Sequence, residues 1–104
     1  MGSRYTTTVI DTGADALQAL VPAAAGRSVA VHGFMFASSA TGLVKWIDSA
    51  ATDLSGSMSV LAGVPFRMAN SGTPCMTTAH GLGLSIITAS TANAKGSVTW
   101  SYDI

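Results

Sequence analysis

The sequence predicts an all-β fold, an antiparallel β-sandwich of about eight strands of jelly-roll or Greek-key type. Two observations carry this prediction. From Gly96 to the last residue the chain alternates strictly, with Val98, Trp100, Tyr102 and Ile104 on one face and Ser97, Thr99, Ser101 and Asp103 on the other. That is the period of a strand with one face on a core. Short apolar runs then recur between turn signals at Asp11-Thr12-Gly13, Ala25-Gly26, Asp53-Leu54-Ser55-Gly56, Ala62-Gly63 and Asn70-Ser71-Gly72. Strands spaced by about 8–12 residues in this way mark a sandwich or barrel. No linker, internal repeat or low-complexity tail interrupts the chain, which reads as a single domain over 1–104.

Taken in order, Thr6 to Asp11 is a short Thr-rich strand. Asp15 to Val21 has good helix formers and an acidic start, but Pro22 stops it after two turns, and so short a helix is marginal alone. In an all-β context it is taken as a strand with Leu17, Ala19 and Val21 sharing a face. Ser28 to Ala37 is apolar on both sides, with Val29, Val31 and Met35 on one and Ala30, Phe34 and Phe36 on the other. Such a strand is either central and covered or has its outer face against a neighbouring subunit. In Leu43 to Asp48, Val44 and Trp46 oppose Lys45, and later Met58 and Val60 alternate with Ser57 and Ser59. Val64 to Ala69 and Cys75 to Thr78 are shorter candidates. Leu82 to Ala89 places Leu82, Leu84 and Ile86 opposite Gly83, Ser85 and Ile87, and the polar stretch Ser90 to Lys95 joins it to the last strand. Two strands joined this way are expected to form an antiparallel pair.

Composition narrows the function. Hydrophobic residues make up 48% of the chain and charged residues only 10%, against about 25% charged in an average soluble domain. There is no Glu, and the formal net charge is zero. That argues against nucleic acid, which needs a basic face, and against an electrostatic membrane anchor. The uncharged stretches Ser28–Val44 and Met68–Ala94 are broken by His, Gly, Pro and Ser, so neither is a run of about 20 apolar residues able to span a bilayer. The single Cys75 allows no internal disulfide framework, which suits folding in a reducing cytosol. The first residues lack the apolar core of a signal peptide.

Little catalytic chemistry is on offer. His32 and His80 have no His or carboxylate at metal-ligand spacing, whereas a zinc or iron site needs three or four converging ligands. The nucleophile pattern G-x-S-x-G is absent. Asp11, Asp15 and Asp53 stand at turns, Asp48 at a strand end and Asp103 on an outer strand face, places where Asp bonds nearby backbone amides. Gly81-Leu82-Gly83 is a strand-entry turn rather than a dinucleotide loop. Exposed tryptophans can stack on sugars, but Trp46 shares a face with Val44 and Trp100 with Val98, which favours the core. Cys75, beside Pro74, reads as a small buried apolar group. No catalytic, cofactor-binding or metal-binding residue is expected.

The layout resembles a group of small β-sandwich virion proteins of tailed bacteriophages. The resemblance runs through Tyr5-Thr6-Thr7-Thr8-Val9-Ile10, the turn Ala23-Ala24-Ala25-Gly26-Arg27, and the strand from Val29 to Phe36 ending at Ala37-Ser38-Ser39. It continues through Val44-Lys45-Trp46-Ile47 with Thr52-Asp53-Leu54-Ser55-Gly56, and Ala79-His80-Gly81-Leu82-Gly83-Leu84-Ser85-Ile86. It is a likeness of layout and turn chemistry over nearly the whole chain. Proteins like these are similar to capsid decoration, or cement, proteins. The resemblance implies a jelly-roll sandwich with no catalytic residues, assembled in the host cytoplasm and carried on the virion. It also implies a homo-oligomer, a trimer above other forms, with the major capsid protein as partner. A carbohydrate- or receptor-binding module of a phage fibre or tail is the alternative, separated by whether Trp46 and Trp100 are buried or lie in an open groove. The scarcity of charge points the same way as the trimer, since a monomer this apolar is expected to expose a patch that closed symmetry would cover. The sequence places that patch on the outer side of Val29–Phe36, with Phe34 or Phe36 pointing into it.

Overall fold

A computed structural model describes residues 6–13, 16–68, 76–89 and 92–103. Its nine strands are β1 (Thr6–Asp11), β2 (Leu17–Val21), β3 (Ser28–Ala37), β4 (Gly42–Asp48), β5 (Met58–Val60), β6 (Phe66–Met68), β7 (Met76–Thr77), β8 (Leu84–Ala89) and β9 (Lys95–Asp103). They form two antiparallel sheets. One has the order β1-β9-β3-β6, with β7 also on β3, and the other β2-β8-β4-β5. Strands β6 and β7 share one edge of β3, at Phe34–Phe36 and at Ala30–Val31. They fill one position between them, so nine strands occupy eight places. Among the described residues no helix is long and apolar enough to cross a membrane.

The pairings nest: β1 with β9, β2 with β8, β3 with β6 and β7, and β4 with β5. The chain is therefore one long hairpin, with its tip between β4 and β5, rolled so that successive pairs fall alternately in the two sheets. That winding is a jelly roll. It also corrects the expected β8–β9 hairpin, because β8 lies between β2 and β4 while β9 lies between β1 and β3 in the other sheet. The link through Ala92–Ala94 crosses between sheets and is anchored by Thr12, whose hydroxyl accepts from Ala94 N–H at 2.8 Å and whose own N–H donates to Ala94 O at 2.8 Å.

The interior takes one face of each strand. Ile10, Val29, Val31, Phe34, Phe36, Val98 and Trp100 come from the first sheet, and Leu20, Val21, Val44, Trp46, Val60, Leu84 and Ile86 from the second. Trp46 is at its centre, 5.0 Å from the Phe34 ring and 6.3 Å from Phe36. Trp100 is 8% exposed and donates from its indole nitrogen to Thr8 Oγ1 at 2.8 Å. The expected burial of both tryptophans, Val98 and Leu84 holds.

Two bulges correct the expected strand faces. In β3 the register shifts between Val31 and Gly33, so His32 is an extra residue and the alternation changes phase there. Val29, Val31, Phe34 and Phe36 consequently all point inward, and neither Phe reaches the surface; Met35 is the outward one, half exposed. In β2 the shift falls between Ala19 and Val21. Leu20 and Val21 are both buried, while Leu17 and Ala19, expected to share a face with Val21, are exposed. Two strands start later than expected: β8 at Leu84 and β6 at Phe66. Gly83 has to be Gly, since a Cβ there would collide with the Val21 carbonyl.

Candidate functional site

The groups singled out in the sequence serve local structure. Asp48 is buried at the end of β4, and its Oδ1 accepts from Ala50 N–H and Thr52 N–H, each at 2.9 Å. It shapes a turn, as expected of a strand-end Asp. His32, the bulged residue, shares a 2.8 Å hydrogen bond between its Nε2 and Ser101 Oγ, both side chains buried. His80 is exposed on the turn before β8. Among the described residues no group of three or more His, Cys, Asp or Glu converges as metal ligands would. Asp15, Cys75, Ile104 and the turn at Asn70-Ser71-Gly72 lie outside the described residues.

In place of charge the chain buries hydroxyls at strand ends. Thr78 Oγ1 accepts from Val29 N–H at 2.9 Å and donates to Leu82 O at 2.9 Å. Thr88 Oγ1 accepts from Ala16 N–H at 3.0 Å and faces Gly13 O at 3.0 Å. Ser38 Oγ accepts from Asn93 N–H at 3.1 Å, and Asn93 Oδ1 accepts from Ser39 N–H at 2.9 Å. A buried hydroxyl so satisfied carries no desolvation penalty beyond what its bonds return. These stitches explain how loops can close over a core with few ion pairs.

What remains for function is surface, and the outer faces of the two sheets differ. Register places Thr7, Val9 and Asp11 of β1 beside Thr99, Ser97 and Lys95 of β9 on the outside of the first sheet. That face mixes the hydroxyls of Thr7, Ser97 and Thr99 with Val9, which is 67% exposed, and with the ion pair of Asp11 and Lys95 at 2.7 Å. Beside it on β3, opposite Ser97, Met35 is half exposed. On the second sheet the outward residues are Leu17 and Ala19 of β2, Ser85, Ile87 and Ala89 of β8, Leu43, Lys45 and Ile47 of β4 and Ser59 of β5, of which Ile47 and Ser85 are themselves buried. Leu43, Lys45, Ser57, Ile87 and Ala89 line an open depression. Its one charge, Lys45, is tied to Asp53 at 3.1 Å. This mainly aliphatic sheet face is the candidate site. Leu17 is exposed and Leu43 and Ile87 are half-buried on this face, whereas the outer side of Val29–Phe36, where the patch is expected, shows only Met35 half exposed. The sequence holds its signal in Leu43 and Ile87, each out of phase with the core residues of its own strand.

No protein-family model and no curated protein sequence matches the chain. Among solved structures it is similar to a protein of the disulfide-linked pili that form Bacillus endospore appendages, with a TM-score of 0.51 and 14% identity over 95% of this chain and 84% of that one. A second match, in the structure of infectious bursal disease virus strain Gx, has a TM-score of 0.34 and 16% identity, over 94% of this chain and 32% of the other. The first likeness shows a shared fold, and the second is too distant to add to it.

Proposed function

We propose that the protein is a structural subunit of a virion, a decoration protein that sits on the outside of a tailed-phage capsid in symmetric oligomers. The observation that supports this most is the aliphatic outer face of the second sheet, which has the composition of a surface covered by another protein. The virion and the trimer come from the likeness of layout to phage decoration proteins, and the jelly-roll winding accords with it. In this reading the chain catalyses nothing. A protein that binds only the assembled shell stabilises it by mass action, by RT ln(1 + [L]/Kd) per site. The fibre-type, sugar-stacking alternative loses its main support, since Trp46 and Trp100 are both in the interior.

Immunogold electron microscopy of particles from the cells that carry the gene, with mass spectrometry of the same particles, tests the role. Label over the head shell supports it. Label confined to tails, or absence of the chain from particles, overturns it.

A further inference from the structure

We infer that Gln18 guards a sheet edge: its carboxamide fills the place of a neighbouring strand on β1 and so prevents a second copy of this chain from pairing there. Gln18 is the only glutamine in the chain. It sits opposite Ile86, on the side of β2 that faces the interior, where the neighbouring strands carry aliphatic residues. Its side chain reaches across the open seam between the sheets to β1. There Gln18 Nε2 donates to Val9 O at 3.3 Å, and Asp11 N–H donates to Gln18 Oε1 at 2.8 Å.

This pattern has a specific meaning. β1 is outermost in its sheet, paired with β9 on one side only. In an antiparallel ladder alternate residues turn both backbone groups to the same edge. Since Val9 O meets Gln18, the free edge presents the N–H and C=O groups of Thr7, Val9 and Asp11. An edge of that kind is a template for another strand, and natural proteins blunt it with bulges, charges, Pro or a covering group. A carboxamide has the donor and acceptor of a peptide group. Bonding one residue's carbonyl and the N–H two residues on, it copies one residue of a parallel strand laid against Ile10. The Val9–Asp11 half of the edge is thereby occupied by the protein's own side chain, at the one seam where the two outermost strands β1 and β2 meet. An aliphatic residue at position 18 would bury more apolar surface and leave that edge open.

Hydrogen exchange on the unmodified protein is the first test. Asp11 N–H is expected to exchange at least tenfold more slowly than Val9 N–H, although both face the same edge; equal rates overturn the inference. Sedimentation velocity and an amyloid-binding dye then compare the unmodified protein with Gln18→Ala and with Gln18→Ala/Val9→Pro. Gln18→Ala is expected to raise self-association at least tenfold. The added Pro removes an edge N–H at an exposed position, where edge strands tolerate it, and is expected to return association to the starting level. No increase in Gln18→Ala, or an increase that Pro leaves in place, overturns the inference.

Discussion

The two sheets share one interior but turn different chemistry outward. On β9 the outward positions beside β1 are Lys95, Ser97 and Thr99, and on β8 they are Ser85, Ile87 and Ala89. Both strands keep the same apolar inner row, Val98 and Trp100 in one and Leu84 and Ile86 in the other. The inner row is what folding requires. The outer row is free to answer to something else, and a hydroxyl-coated face answers to water, which Ser and Thr satisfy without charge. An aliphatic outer face gains nothing from water, and the hydrophobic effect rewards whatever covers it. In a chain with so few charges, that difference separates the face that water satisfies from the face that gains more from being covered.

The largest expected effect removes the interior that both faces rest on. Trp46→Ala should cost about 3–5 kcal/mol, the range for deleting a large core aromatic, and a shift of the denaturant midpoint measures it. Trp46→Phe should be much milder. The Trp46 indole N–H is buried with no acceptor among the described residues, so its removal sacrifices no bond. Trp100→Phe, which breaks the bond to Thr8, should cost more than Trp46→Phe by roughly 1 kcal/mol, the net worth of one hydrogen bond. The reverse order would mean that the Trp46 N–H is satisfied.

Next comes the contrast between faces. Ile87→Asp should weaken self-association about tenfold or more, because a charge would be desolvated in the covered face, at a cost above roughly 1.4 kcal/mol. Thr99→Asp, on the hydroxyl face, should leave association within about twofold. Sedimentation at micromolar concentration reads both, with circular dichroism to confirm that each variant folds. Equal effects from the two variants would remove the distinction between the faces, and an unmodified protein that stays monomeric would remove the argument for self-association.

Much of this architecture is legible in the residues. Strands β1 and β3 run between the residues that periodicity selects, and the inward rows of β4, β5, β8 and β9 follow from period-two alternation alone. Alternation fails where the backbone inserts a residue. The run Val29 to Phe36 carries no mark that His32 is extra, because every neighbour is apolar and either phase looks equally good. Leu20 hides the second bulge in the same way. The expected β8–β9 pairing fails because a polar six-residue link fits a hairpin and a crossover alike. Only the nesting of long-range pairs decides between them, and local pattern does not encode it. Gln18 gives no signal in the sequence for a related reason: its partners on β1 are backbone atoms, and no side-chain motif points to them.

A smaller effect concerns the turn that borders the apolar face. Ala51 adopts φ 65° between the amides held by Asp48, a left-handed conformation that disfavours a Cβ. Ala51→Gly should therefore stabilise the fold by about 0.5–1 kcal/mol, after the extra backbone entropy of Gly is offset. Thermal denaturation is the measurement. A loss of stability would show that the turn tolerates its Cβ without strain.

The smallest effect sets the ion pair of one face against that of the other. Asp11–Lys95 is a cross-strand pair at 2.7 Å, with both side chains about two-thirds exposed at 62% and 66%. Lys45–Asp53 is longer at 3.1 Å, but its lysine is only 31% exposed and lies along the aliphatic depression. Exposed pairs contribute about 0.2–1 kcal/mol at most, since water screens them and two long side chains must be held still. Double-mutant cycles should place Asp11–Lys95 near the bottom of that range and Lys45–Asp53 nearer the top. Partial burial reduces the screening, and the Lys45 stem packs on apolar surface. Salt sharpens the comparison: raising ionic strength to about 1 M shortens the screening length to about 3 Å, which should erase the first coupling and leave part of the second. Couplings equal in size and equally sensitive to salt would mean that the two faces present the same dielectric to a charge, and the apolar face would then be as wet as the hydroxyl one.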